Sequence, residues 1–449
     1  NLFNGSGGNW VINAHQGDTP IDGVEVTNNT FRNAEDGIIQ AKYTNGVISE
    51  NTFADTGSDA VRLAGNVDGT EIANNTFDTT GQNQPYGAIL ANGVDSGVTV
   101  TISNNQFVNP GSGVFLATND RADTPGLDLR EILQNQNNSF TPDAVVNQNA
   151  IVSEATVDVV NVDQQTGFNG IQTAVDAVDP GETIEIQSGT FDENVEVTTE
   201  NVTLVGQGDD TLINGSIALN TADLRLSNVR IESEVGDVFP NPAASNNAVN
   251  VAGSNVTVSD VSVNLSVESA EFSEGLAIEV SGDDASATVT NVTVSGTGET
   301  TSDALIGVVG VSADKGADAT VSNSDIDVTS DGYSLAVAAR GAGTETTVRF
   351  NQLSANGDAE NYDGVGFGVE GATPEAQTVR FNTFDDVDTI ENKAGSGELD
   401  VTGNYWTNLA SVEFLTGADT FDEPQKGGEI TYDPFLTVEP DEVNATSLD

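Results

Sequence analysis

The sequence predicts an all-β protein of two tandem parallel β-helices (β-solenoids), the second opened by a capping α-helix. Three observations carry that expectation. Short β-type segments return with the same residue types at the same phase; an Asn and a Phe recur together through the first third; and one amphipathic helix signal stands alone in mid-chain. A fixed period with a fixed phase is what a solenoid requires, because each coil stacks on the next at ~4.8 Å and every position lies over its own equivalent. A β-sandwich needs no such phase, and a leucine-rich repeat needs a Leu-rich consensus that is missing here.

Residues 1–150 form the first expected domain. The pattern apolar-x-x-Asn-x-Phe occurs as Val26/Asn29/Phe31, Ile48/Asn51/Phe53, Ile72/Asn75/Phe77 and Ile102/Asn105/Phe107, with Asn spacings of 22, 24 and 30. Asn1-Leu2-Phe3 and Asn138-Ser139-Phe140 continue the series at its two ends. A second short strand follows each Phe, as at Gly37-Ile38-Ile39, Asp59-Ala60-Val61, Gly87-Ala88-Ile89 and Gly113-Val114-Phe115. Phe on Phe is expected to fill the core. The recurrent Asn is expected at a bend, where it tolerates left-handed backbone and its amide can bond the Asn of the next coil. The series starts in mid-repeat with no cap of its own, so the expectation is that more chain precedes residue 1 or that another subunit covers that end.

Residues 151–449 form the second expected domain. Leu127 to Leu133 suggests a helical turn, and polar Gln148-Asn149 suggests an exit from the first solenoid. The capping helix is expected near 169–178: Asn169 can cap, Gln172 follows three residues later, and Ile171, Ala174, Val175 and Val178 form one apolar stripe before Pro180-Gly181 stops it. Strands then recur, among them Val256-Thr257-Val258, Ala287-Thr288-Val289, Ala319-Thr320-Val321, Val348-Arg349-Phe350 and Val379-Arg380-Phe381. Most carry an Asn shortly afterwards, as at Asn228, Asn291, Asn323, Asn351, Asn382 and Asn404.

Composition limits function. The formal net charge is -57, with 70 Asp plus Glu against 13 Lys plus Arg, so no basic face for nucleic acid can be assembled. Apolar residues make up 37% and recur periodically, which argues for a folded, carboxylate-coated protein rather than a disordered one. This balance resembles that of haloarchaeal proteins. There is no Cys and no Met, hence no disulfide and no thiol-based metal site; a chain without Met is expected to be processed or to be a fragment. No apolar stretch is long enough for a membrane span, and the first residues do not read as a signal peptide. Asn-x-Ser/Thr sequons begin at Asn4, Asn28, Asn74, Asn137, Asn201, Asn214, Asn255, Asn264, Asn291 and Asn444. As glycosylation candidates they point to an extracellular protein at the cell surface.

Phe168 to Val197, with its helix, Pro180-Gly181 and Gly189-Thr190-Phe191-Asp192-Glu193-Asn194, resembles the opening of right-handed parallel β-helix proteins of the pectate-lyase-like superfamily. Gly403-Asn404-Tyr405-Trp406 followed by Thr431-Tyr432-Asp433-Pro434-Phe435-Leu436 resembles the closing segment of NosD-like and related carbohydrate-binding and sugar-hydrolase repeat proteins. The resemblance implies a right-handed β-helix and admits lyases, hydrolases, esterases, adhesins and viral tailspikes.

No catalytic residues emerge. The single His15 has no matching hydrolase motif around it, and the esterase constellation is missing. Arg349 and Arg380, each between Val and Phe, read as a repeated outward-facing pair with nearby carboxylates. Asp358, Glu360 and Asp363 could gather oxygen ligands for Ca²⁺; no other cofactor is implied. Tyr405 and Trp406 suit a sugar platform or, more simply, a plug for the end of the core. The expected function is a non-catalytic structural or adhesive surface or filament protein of a halophile, with copies of itself, other surface proteins or polysaccharide as partners. A polysaccharide lyase or hydrolase acting on acidic polysaccharide, and a viral tailspike or fibre, are the alternatives. Self-repulsion among the carboxylates is screened by salt, whose Debye length falls to ~3 Å at 1 M. The thermal unfolding midpoint is therefore expected to rise steadily as KCl is raised from about 0.1 M to about 2 M; a midpoint indifferent to salt would contradict this.

Overall fold

The computed structural model describes residues 1–6, 10–14, 21–82, 87–118, 127–235, 247–269, 273–300, 306–357, 364–394, 396–409, 413–416, 429–433 and 435–436. The chain packs as two compact units, Asn1–Asn169 and Gly170–Asp449. Short strands paired in parallel make up both, so the protein is all-β and a β-solenoid of stacked coils.

In the first unit, Leu2–Ser6, Thr30–Ala34, Thr52–Thr56, Thr76–Asp78, Gln106–Val108 and Ser139–Thr141 form one parallel sheet. Its register puts Phe3, Phe31, Phe53, Phe77, Phe107 and Phe140 in a column. Adjacent rings stack with centroids 4.8 to 5.2 Å apart. A second column, Val26, Ile48, Ile72 and Ile102, lines another sheet, and Ile12–Ala14, Ile39–Ala41, Val61–Gly65 and Ile89–Val94 build the third. Phe3 and Leu2 remain partly exposed, beside a cavity of ≈ 110 Å³ lined by Phe3, Val11, Phe31 and Ile38 among others.

The expected recurrent Asn turns out to be two residues with divided roles. Left-handed backbone belongs to Asn28, Glu50, Asn74, Asn104 and Asn137, with φ from 53 to 58. The residue after each, Asn29, Asn51, Asn75, Asn105 and Asn138, points inward and forms the ladder. Asn75 Oδ1 accepts from the backbone N–H of Asn51 at 2.9 Å and from Asn51 Nδ2 at 3.1 Å. Asn75 Nδ2 donates to Asn105 Oδ1 at 3.0 Å and to the Ile48 carbonyl at 2.8 Å. One buried amide thus satisfies two backbone groups of the preceding coil and bonds the Asn105 side chain of the next.

Helix α1 (Leu129–Gln134) is capped by Asp128, whose carboxylate accepts from the Glu131 N–H at 3.1 Å. Residues 151–168, expected at the head of the second domain, belong to the first unit. Ala150–Ser153 runs antiparallel to both Ala144–Asn147 and Val114–Thr118, and Val159–Asn161 runs antiparallel to Thr166–Phe168. Gln148-Asn149, read as a polar exit, is a tight hairpin turn with Gln148 at φ 50.

The second unit opens with α2 (Ile171–Val175), shorter than expected. Its stripe of Ile171, Ala174, Val175 and Val178 is buried as the periodicity implies. The cap differs: Gly170 occupies the N-cap, and the Glu193 carboxylate accepts from the Ile171 and Gln172 N–H groups at 3.0 and 2.9 Å. Gln172 is not part of a capping box. Its side-chain oxygen accepts from the Glu196 N–H at 2.7 Å, joining helix to strand Val195–Val197. An acid from the following coil therefore satisfies the helix end, because Asn169 lies one residue too early.

Nine strands from Val195–Val197 to Glu413–Thr416 form one sheet of this unit, and the longer strands Thr203–Asn214, Arg225–Val235 and Val256–Ser269 run through the corner between the other two faces. The inward corner position changes along the stack from Val229, Val261 and Val292 through Ser324 to Asn351, Asn382 and Asn404, which form a second amide ladder. Asn228, Asn291 and Asn323 are the outward, left-handed residues of earlier coils. Trp406 is buried and stacks on Phe384 at 4.3 Å, so it plugs the core rather than offering a sugar platform. The closing segment rests on this end through the Leu436 N–H, which donates to the Asn404 carbonyl at 2.8 Å.

Asn75→Ala strands the Asn51 N–H and the Ile48 carbonyl in the core, and a stranded buried polar group costs about 1–3 kcal/mol. The loss expected by chemical denaturation is therefore about 2–4 kcal/mol. Asn28→Gly, at an exposed left-handed corner, is expected to stay within about 0.5 kcal/mol of the parent.

Candidate functional site

The nine-stranded sheet of the second unit carries the most constrained charged cluster. Strand Ile306–Asp314 is buried along both faces up to Ala313, and Leu276, Val309, Leu335, Ala338 and Val365 form an apolar cluster of their own. Against it packs Tyr333, whose hydroxyl donates to Glu274 Oε1 at 2.8 Å. Arg340 donates to both oxygens of Glu274, at 2.9 Å and 2.5 Å, and its Nε lies 3.1 Å from Glu370 Oε2. The Arg340 side chain is 17% exposed and that of Glu274 20%. Burial works against the Arg340 charge, but Glu274 and then Glu370 outweigh it and raise the guanidinium further above its ordinary range. Burial and then Glu274 push the Tyr333 phenol up as well. The arrangement is a bidentate, charge-assisted pair with a second carboxylate in reserve, so Arg340 keeps its charge and Tyr333 keeps its proton.

Arg349 and Arg380 are in register on neighbouring coils, as expected. Their environments differ. Arg349 is exposed, whereas Arg380 donates to the Thr402 carbonyl at 3.0 Å, to the Thr402 hydroxyl and to Asp400. Burial opposes ionisation of Asp400, but the Thr402 hydroxyl and amide and the Arg380 guanidinium prevail and hold its carboxyl below the usual range. Phe350 and Phe381 stack beside them with centroids 5.4 Å apart, and Phe350 is 44% exposed.

Glu274, Tyr333 and Glu370 had no signal in the sequence. They lie on three different strands, Ser273–Ser281, Tyr333–Arg340 and Gly364–Glu370, and only stacking brings them together. His15 and the Ca²⁺ candidates Asp358, Glu360 and Asp363 fall outside the described residues, as does sequon Asn444. Among the described residues no group of three or more His, Asp or Glu side chains is placed to hold a metal ion. The other nine sequon asparagines are exposed. Asn28, Asn74, Asn137, Asn201, Asn255 and Asn291 occupy left-handed corners, and Asn4, Asn214 and Asn264 lie on strands. No helix among the described residues is long and apolar enough to cross a membrane.

Residues 3–126 match the family described as right handed beta helix region. No curated protein matches the chain.

Removing one partner of a buried ion pair leaves the others uncompensated, at a cost of ~3 kcal/mol or more. Arg340→Met is therefore expected to lower stability by about 3 kcal/mol, whereas Arg349→Met is expected to change it by less than about 0.5 kcal/mol. Urea unfolding of both variants in the same salt measures the difference.

Proposed function

We propose that this parallel β-helix protein is a non-catalytic, extracellular structural or adhesive component of a cell surface or filament in a salt-rich environment. One observation carries the reading. A lyase base must be unprotonated when it takes the proton from the reacting carbon. A partly buried cation of the nine-stranded sheet, Arg340, is clamped in its charged form by Glu274 and Glu370. Arg380 is likewise held by Asp400 and Thr402. These guanidiniums stitch neighbouring coils together, which is the role of scaffold ion pairs. The net charge of -57 supports a surface adapted to concentrated salt, and the exposed sequons suit an exported chain.

The second reading, a polysaccharide lyase or hydrolase, is favoured by the same cluster, since two carboxylates and a phenol converge there. One assay separates the two. Protein at ~1 µM is incubated with polygalacturonate and alginate in about 2 M KCl with and without Ca²⁺. No new reducing ends or unsaturated products are expected. Product formation abolished by Glu274→Gln would overturn the structural reading.

A further inference from the structure

Register sorts the sequons of this chain into columns. In the first unit the outward corner runs Asn28, Glu50, Asn74, Asn104 and Asn137, and the position two residues on runs Thr30, Thr52, Thr76, Gln106 and Ser139. A sequon needs both members, an Asn and a hydroxyl. The first, third and fifth of these coils have both. The second keeps Thr52 but carries Glu50 at the corner, and the fourth keeps Asn104 but carries Gln106 in the hydroxyl position. Two unlike substitutions thus break the sequon on each intervening coil.

The second unit repeats that spacing. Asn201, Asp223 and Asn255 follow one another at a corner, with sequons on the outer two. Asn214, Glu232 and Asn264 do the same on a strand face. Asn291 stands between two broken sequons: the coil of Asp260 keeps the hydroxyl of Ser262 without the Asn, and the coil of Asn323 keeps the Asn but has Asp325 in the hydroxyl position. Among the described residues no two sequons occupy adjacent rungs of one column. Hydrogen bonding accounts for part of the alternation, since Asn255 Nδ2 donates to Asp223 Oδ1 at 2.6 Å and Asn214 Nδ2 to Asp192 Oδ1 at 2.8 Å. It does not account for the hydroxyls, which take no part in those bonds, or for the coils that keep the Asn and lose only the hydroxyl.

We infer that the protein is N-glycosylated in columns, on alternate coils, with Asn28, Asn74 and Asn137 along one corner of the first unit and the pairs Asn201/Asn255 and Asn214/Asn264 on the second. A hexose with its hydroxyls is broader than one rung of ~4.8 Å, so glycans on adjacent rungs collide, whereas every second rung gives ~9.6 Å. All of these acceptors are exposed. In the transfer, Asn Nδ2 forms a C–N bond to the anomeric carbon of a glycosyl phosphate held by a host transferase; the donor's C–O bond breaks, and its phosphate and one amide proton depart. The amide keeps its second hydrogen. That is enough for the bonds from Asn255 to Asp223 and from Asn137 to Asn104, the latter 2.8 Å long. The inference rests on the extracellular reading and deepens it, because it makes those corners a carbohydrate face of the presented surface.

The test takes the full protein from the cells that make it, separates exported from internal material, and maps glycopeptides by mass spectrometry. Sugar is expected at Asn28, Asn74 and Asn137 together on exported molecules. Two variants open a sequon on an intervening coil: Glu50→Asn, at a left-handed φ of 56 that Asn accepts, and Gln106→Thr, in register with Thr76. Sugar at either new site is expected to lower the occupancy of its two neighbours about twofold or more, and molecules filled on adjacent coils are expected to unfold at a lower midpoint. Adding Asn28→Gly and Asn74→Gly, which suit the same backbone, is expected to let the Glu50→Asn site fill. The inference is overturned if exported protein is bare at all three corner sites. It is equally overturned if a new site fills alongside both neighbours with the parent's midpoint, or stays empty even when those neighbours are gone. Bare protein found only inside the cell overturns the extracellular reading as well, whereas exported bare protein overturns this inference alone.

Discussion

Stacking in register is the constraint from which the rest of this structure follows. When each coil lies directly over the last, any group turned inward meets its own equivalent, so a residue must be compatible with a copy of itself at ~4.8 Å. Phe meets that demand by ring stacking and Val or Ile by dispersion. Asn meets it because a primary amide carries both donors and an acceptor. Asn51, Asn75 and Asn105 each pass a hydrogen bond along the ladder while serving the backbone of adjacent coils. In the second unit the same corner is apolar at Val229, Val261 and Val292 and becomes an amide ladder only from Asn351 onward. Both solutions leave no inward corner group stranded.

Charge is arranged on the outside of that frame. Most carboxylates line solvent-facing positions, and two guanidiniums hold coils together, Arg340 on Glu274 and Glu370 and Arg380 on Asp400, while Arg62 pairs within its own coil with the buried Asp59. Those at partly buried positions act in a lower effective dielectric than the surface carboxylates do, so salt weakens them less than it weakens the repulsion. Concentrated salt therefore shifts the balance toward the folded coil stack.

Much of the fold was legible because a solenoid repeats its reasons. The Phe column and the Val26 to Ile102 column were readable from spacing, and the buried helix stripe from Ile171 to Val178 was readable from periodicity. Less was legible where one residue answers to a distant coil. Asn169 looked like the helix cap, yet Glu193 does that work, a carboxylate whose position depends on how the next coil returns. Gln148-Asn149 looked like a linker because polar pairs punctuate linkers and hairpins alike; only the antiparallel pairing of the flanking strands decides between them.

Sequence by itself determined the solenoid, its core residues and its acidic exterior, because these depend on composition and on a period that local chemistry imposes. Tertiary structure alone decided which Asn bends the chain and which enters the core. The two are neighbours of the same type, and only the direction of the side chain tells Asn74 from Asn75. It alone assembled Glu274, Tyr333, Arg340 and Glu370, which are scattered over some hundred residues and meet because parallel coils bring distant segments into register. And it alone placed Phe350 and Phe381 on a corner with left-handed backbone, stacked on each other, since an aromatic after a strand reads as core until its backbone angle is known.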